Sequence, residues 1–147
     1  MDDDPAIVKD LRARVASSPF HAGLGLTVDG ASAGEVLLSV RTLPEQQNLQ
    51  GLVHGGVLAT LADMAMGLAV RSAIEAGRRH VTIELGIHYV RPARPGRVHA
   101  RGRTVRVGSQ VAFARAEISD DTGRLLATAS GTFAVTRERA KERGGPQ

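Results

Sequence analysis

The sequence predicts a single-domain α+β fold, an antiparallel curved sheet of about six strands wrapped around one long buried helix. Four observations predict it. From Leu52 to Val70 the chain is almost unbroken apolar and small residues. Within that run Leu58, Leu61, Ala62, Ala65, Leu68 and Ala69 recur at three and four residues, the spacing of one helical face. The opposite face, Gly56, Ala59, Thr60, Asp63, Met66, Gly67 and Val70, is also small and nearly uncharged, so this helix needs cover on more than one side. About six strand-like runs, separated by tight-turn signals, surround it in sequence, as in an antiparallel sheet. A chain of 147 residues without cysteine is one domain, residues 1–147, held by its core and not by disulfides.

The elements follow in order. Asp4-Pro5 reads as an N-cap with proline at the first helical position, opening a short helix over about 5–16 that Ser17-Ser18-Pro19 ends. Leu24 to Asp29 and Glu35 to Leu43 read as strands around the connection Gly30-Ala31-Ser32-Ala33-Gly34. Pro44 to Gly51 is a loop feeding the apolar helix, which ends between Arg71 and Gly77, where charges return and a glycine offers a C-cap. Val81 to Arg91 alternates, with Val81, Ile83, Leu85, Ile87 and Tyr89 on one face. Pro92 to Gly96 is a turn, and Arg97 to Val107 a strand whose alternation slips near Gly102, suggesting a bulge. Gly108-Ser109 turns into the strand Gln110 to Ser119, and Asp120-Asp121-Thr122-Gly123 into the last strand, Arg124 to Thr136. The charged tail, about 137–147, is expected to fray.

Composition excludes several classes. The apolar helix is long enough to raise a membrane reading, but an aspartate, a histidine and several glycines interrupt it. The start Met1-Asp2-Asp3-Asp4 is the reverse of a signal peptide's basic opening, so a cytoplasmic location is expected. Aromatics are 3%, too few for a base-stacking platform, and no nucleic-acid motif accompanies the net charge of +4. His21, His54, His80, His88 and His99 lack metal-ligand spacing, so neither metal nor cofactor is expected. The charge is concentrated: Arg91, Arg94, Arg97, Arg101, Arg103 and Arg106 fall in one stretch with no acidic residue. Such a run is either a solvated strand face or a phosphate site, since guanidinium groups pair with phosphate oxygens in bidentate fashion.

The chemistry lies in and before the apolar helix. Asp63 is the only fully ionised side chain from Leu52 to Val70, and a carboxylate among apolar residues is expensive unless paired, hydrogen-bonded or used. Gly55-Gly56 sits where the helix begins, so unpaired backbone N–H groups point at whatever precedes it.

Asn48, then His54-Gly55-Gly56, then Leu61-Ala62-Asp63 resembles the hotdog-fold acyl-CoA thioesterases of the phenylacetate-pathway (PaaI-like) type. Val81 to Ala93, ending Arg91-Pro92-Ala93, resembles that family's strand after the helix, and the likeness extends over about residues 20–137. The implied activity is hydrolysis of acyl-CoA thioesters. The implied assembly is a homo-oligomer, at least a dimer and by resemblance a tetramer, with the site shared between two chains. Spacing supports the sharing: Asp63 lies about 12 Å along the helix axis from Gly55, too far to serve the same carbonyl within one chain.

The roles read as follows. The Gly55 N–H polarises the thioester carbonyl, unless Gly55-Gly56 serves only close packing. Asp63 is general base or nucleophile, unless it is a structural carboxylate. Asn48 positions water or the carbonyl, or else closes an Asx-turn. His54 is an orienting hydrogen-bonder more than a base. Thr82 matches the family's hydroxyl that holds the attacking water; if the apolar face of its strand covers the helix, Thr82 reaches the site only across a subunit contact. Arg91, Arg94 and Arg103 are candidates for the phosphates of coenzyme A. Met64, Met66, Leu49 and Leu52 are candidates for a pocket suited to medium-chain or aryl acyl groups. A non-catalytic acyl-CoA-binding module of the same fold is the alternative, and it has no need of a buried carboxylate at 63.

Overall fold

The computed structural model describes residues 1–137. The rest of the tail expected to fray lies outside the described residues. A six-stranded, wholly antiparallel sheet in the order β1-β2-β4-β5-β6-β3 packs against the long helix α3.

Helix α1 (Pro5–Ser17) begins as expected: the Asp4 carboxylate accepts from Ala6 N–H at 2.9 Å and Ile7 N–H at 3.3 Å. Its apolar side buries Leu11 and Val15. The Ser18-Pro19 pair that stops α1 also starts a one-turn helix, α2 (Pro19–Gly23), with Ser18 as N-cap and proline at the first position. That helix is absent from the sequence reading. Strands β1 (Thr27–Ser32) and β2 (Glu35–Arg41) form the first hairpin. β1 lies about three residues later than expected. The connection shrinks to Ala33-Gly34, where Gly34 has φ +82°, a conformation that glycine adopts without cost.

Helix α3 spans Gly55–Ala73. It is long and apolar enough to cross a membrane, but its cover here is the chain's own sheet. On the face opposite Leu58 and Leu61, Met66, Gly67 and Val70 are buried; only the first half of that face, with Gly56, Thr60 and Asp63, reaches the surface. The helix does not end on a glycine. Ile74 is the C-cap, and Arg71 donates to the carbonyls of Ile74 (3.3 Å), Glu75 (3.2 Å) and Arg78 (2.5 Å). Gly77 serves the following turn at φ +77°.

Strands β3 (Arg78–Tyr89), β4 (Arg97–Val107), β5 (Val111–Asp120) and β6 (Leu125–Arg137) complete the sheet. Gly102 does not mark a bulge. A Cβ there would lie 2.1 Å from the Ala65 carbonyl oxygen, so glycine lets the backbone of α3 rest directly on β4. The register shift in β4 falls between Thr104 and Arg106, with Val105 as the extra, exposed residue.

β3 does not keep one apolar face. Its register against β6 shifts between Thr82 and Glu84, leaving Ile83 as a bulge. Before the bulge the even-numbered side chains face α3: His80 packs on Gly67 and on the Phe133 ring. After it the odd-numbered ones do: Leu85 and Ile87 pack on the core, and Tyr89 reaches Gly55. Val81 and Ile83, expected to cover the helix, point outward and are 63% and 61% exposed.

Candidate active site

The loop before α3 is folded by Asn48. Its Oδ1 accepts from Gln50 N–H (2.9 Å) and Leu52 N–H (3.1 Å), the Asx-turn reading. Those bonds fix the carboxamide so that its NH₂ is the group Asn48 has to offer a carbonyl or water oxygen. An isolated bridge between Gln47 and Val53 closes the loop, and His54 N–H donates to Gln46 O at 2.8 Å.

His54 is the N-cap of α3. Its Nδ1 accepts from Gly56 N–H at 2.9 Å, and its carbonyl accepts from Val57 N–H at 2.9 Å. With Nδ1 accepting, Nε2 is the ring nitrogen left to donate. The orienting role expected of His54 is here a backbone one. With Gly56 and Val57 served, the Gly55 N–H is the first helical amide, and it donates to no acceptor among the described residues. It carries the partial positive charge of the helix start.

Two turns on, Asp63 sits on the part of α3 that the sheet leaves partly open, so it is half-buried and not enclosed as expected. The Thr82 hydroxyl donates to Asp63 Oδ1 at 2.8 Å. Thr82 therefore reaches Asp63 within its own chain, against the expectation of a contact only across subunits. The Ile83 bulge is the reason, because it gives Thr82 the inward phase. Next along β3, His80 is held below the ordinary histidine value by burial and then by the Arg71 guanidinium; Asp63 pulls it the other way, and Arg14 adds to the lowering.

The remaining candidates scatter. Ala93 O accepts from Val53 N–H at 2.9 Å, which sets the turn carrying Arg91 and Arg94 beside the helix start. Arg91 donates to Leu125 O at 3.0 Å. Arg103 lies on the outer face of β4, since inward side chains alternate through Val98, Ala100 and Gly102. Arg101 on that face pairs with Glu35 at 2.5 Å, so the arginine run is not one continuous patch. Leu49 is fully exposed at the loop tip while Met64 is buried in the core, so the chain alone does not join them into a pocket. Met66 fills the space over Gly131 under the sheet, as a core residue. Sequence reasoning missed Tyr89 as a site residue: its hydroxyl donates to Gly55 O at 2.9 Å. The available signal was its place at the end of the strand that also carries Thr82.

A helix that begins on a capped Gly-Gly pair, carries a hydroxyl-held carboxylate two turns on and lies in a curved antiparallel sheet defines a hotdog thioesterase fold. A family model described as the thioesterase superfamily matches residues 50–127, and the chain belongs to that family. A medium/long-chain acyl-CoA thioesterase, YigI of Salmonella typhimurium, is 30% identical over 132 residues, covering 80% of this chain and 85% of its own. The crystal structure of a thioesterase family protein from Silicibacter pomeroyi superposes with TM-score 0.81 at 28% identity, covering 89% of this chain and 96% of its own. The PaaI protein of the Escherichia coli phenylacetic acid degradation operon shares the fold, with TM-score 0.83 at 21% identity over 90% of this chain and 94% of its own.

Proposed function

We propose that this protein hydrolyses acyl-CoA thioesters to free acid and coenzyme A, on medium-chain or aryl acyl groups. The observation that carries the reading is the Asp63–Thr82 pair at 2.8 Å on the same helix that begins with the Gly55 amide. The Gly55 N–H and the Asn48 NH₂ draw charge onto the thioester oxygen as the carbonyl becomes tetrahedral. Asp63, with one oxygen held by Thr82, either takes a proton from the attacking water or attacks the carbonyl itself. In the first case the C–S bond breaks as Asp63 returns that proton to the sulfur, giving acid and thiol; in the second it breaks to leave an acyl–Asp63 anhydride, which water then hydrolyses to the acid, and the departing thiolate takes its proton from solvent.

Gly55 and Asp63 stand about 12 Å apart along one helix, so each site takes one group from each of two chains. The free edge of β3 supports a dimer. It is a 12-residue edge strand with exposed Val81, Ile83 and Tyr89, the kind of edge that pairs with another chain. A tetramer built from two such dimers follows the family resemblance. Arg91 and Arg94, beside the helix start, are the arginines placed to meet coenzyme A phosphates; Arg103, on the outer face, can do so only for a site on another dimer.

The test is thiol release across a panel of acyl-CoA esters. Hydrolysis of medium-chain or aryl esters is expected. Arg91→Ala and Arg94→Ala should raise KM for acyl-CoA but not for a short thioester lacking the nucleotide. Tight binding of acyl-CoA with no thiol release would sink the enzyme reading in favour of a binding module.

A further inference from the structure

We infer that Tyr89 is a positioning residue for the Gly55 amide, an inference that rests on the role given to that amide above. The start of α3 needs such a device. Two glycines in the first turn give its backbone more conformational freedom than alanines would, so the segment carrying the key N–H is intrinsically loose. Two bonds hold it. The Tyr89 hydroxyl donates to Gly55 O at 2.9 Å, and Gly56 N–H donates to His54 Nδ1 at 2.9 Å. The Gly55–Gly56 peptide is thus held at both its oxygen and its nitrogen. His54 itself is fixed as the cap, so the neighbouring peptide, which carries the Gly55 N–H, has little freedom left.

The glycine at 55 is explained by the same contact. Gly55 is not among the glycines with positive φ, so backbone conformation does not require it. A Cβ at 55 would come within 3.2 Å of Tyr89 Cζ and 3.3 Å of its Cε1 and hydroxyl. Glycine lets the ring lie against the helix start. Tyr89 is 52% exposed, so it is not there to fill the core. It also sits on β3, seven residues after Thr82, so one strand fixes the amide at one end and the carboxylate at the other.

The experiment uses the whole 147-residue chain and two changes. Tyr89→Phe keeps the ring and deletes the hydroxyl. Replacement of Gly55 by glycolic acid, through nonsense suppression, turns the amide into an ester and deletes the N–H. Steady-state thiol release from an acyl-CoA ester should show kcat lowered about ten-fold by Tyr89→Phe, with KM within about two-fold. In the ester enzyme Tyr89→Phe should cause no further loss, because no amide remains to be positioned. An unchanged kcat in Tyr89→Phe overturns the inference and leaves the Gly55 reading intact. An equal loss in both backgrounds also overturns it, since Tyr89 would then act through something else. Full activity in the ester enzyme overturns the Gly55 reading itself, and the inference with it.

Discussion

Mixing two differently disabled chains measures the sharing of the site directly. Asp63→Asn keeps size and shape but removes the base and the nucleophile, and should lower turnover by about two to four orders of magnitude. Gly55→Pro is the complementary change. Proline is accepted at the first helical position, and His54, at φ −61° and ψ 135°, already has the extended conformation that a following proline demands. The His54 cap goes to Gly56 and is left intact, while the ring atoms must shift Tyr89, a half-exposed side chain, by a few tenths of an ångström.

Each variant alone should be nearly inactive. In a heterodimer, the Asp63→Asn chain supplies a good amide and the Gly55→Pro chain a good carboxylate, so one site of two is whole. Random reassortment makes about half of the molecules heterodimers, so the mixture should regain about a quarter of wild-type activity. Heterodimers isolated on two affinity tags should show about half. Complementation requires the axial separation of about 12 Å to keep Asp63 from its own chain's Gly55. No recovery in isolated heterodimers would refute it, because a site contained within one chain cannot be complemented.

Three further outcomes follow from contacts described above. Thr82→Val, which removes the donor to Asp63, should lower kcat about ten-fold with little change in KM, and Thr82→Ser should retain most activity; a silent Thr82→Val would separate this hydroxyl from the chemistry. Gly102→Ala forces a Cβ to within 2.1 Å of the Ala65 carbonyl oxygen, so α3 must lift off β4; a fall in Tm on the order of 10 °C is expected by calorimetry, and an unchanged Tm would contradict the close approach. Because the His80 value is lowered in the folded chain, the unfolded chain binds more protons as pH falls below about 6.5. The stability from neutral His80 is therefore present above that pH and lost as pH falls through the folded value. His21, lowered by burial, acts in the same direction. His80→Gln should flatten, without abolishing, the fall of Tm between pH 7 and 5 measured by thermal melts.

The helix and the lone carboxylate on it were legible in the sequence because both are local. A 3.6-residue period and a charge inside an apolar run are visible without any partner. The turns between strands were legible for the same reason. What the sequence hid depends on what a residue meets. Strict alternation assigned Val81 and Ile83 to the covered face, but a single bulged residue changes the phase of β3, and a bulge is decided by pairing with β6. Gly102 looked like a slip in alternation, while its real constraint is the Ala65 backbone, far away in sequence. Tyr89 looked like one more core residue, because nothing local says that its hydroxyl ends on Gly55. The arginine run looked continuous until the pleat sent Arg103 to the outer face and Glu35 took up Arg101.

The bulge at Ile83 has a bearing on how a preparation of this protein can fail. Thr82 and Tyr89 lie on opposite sides of it and face the helix in opposite phases of one strand. A slip of β3 by one residue along β6 would turn Thr82 away from Asp63 and Tyr89 away from Gly55 in the same event. Molecules with that error would contribute mass to a sample but no turnover. Specific activity would then count correctly paired molecules, and variation between batches would show as a change in the number of working enzymes at constant KM.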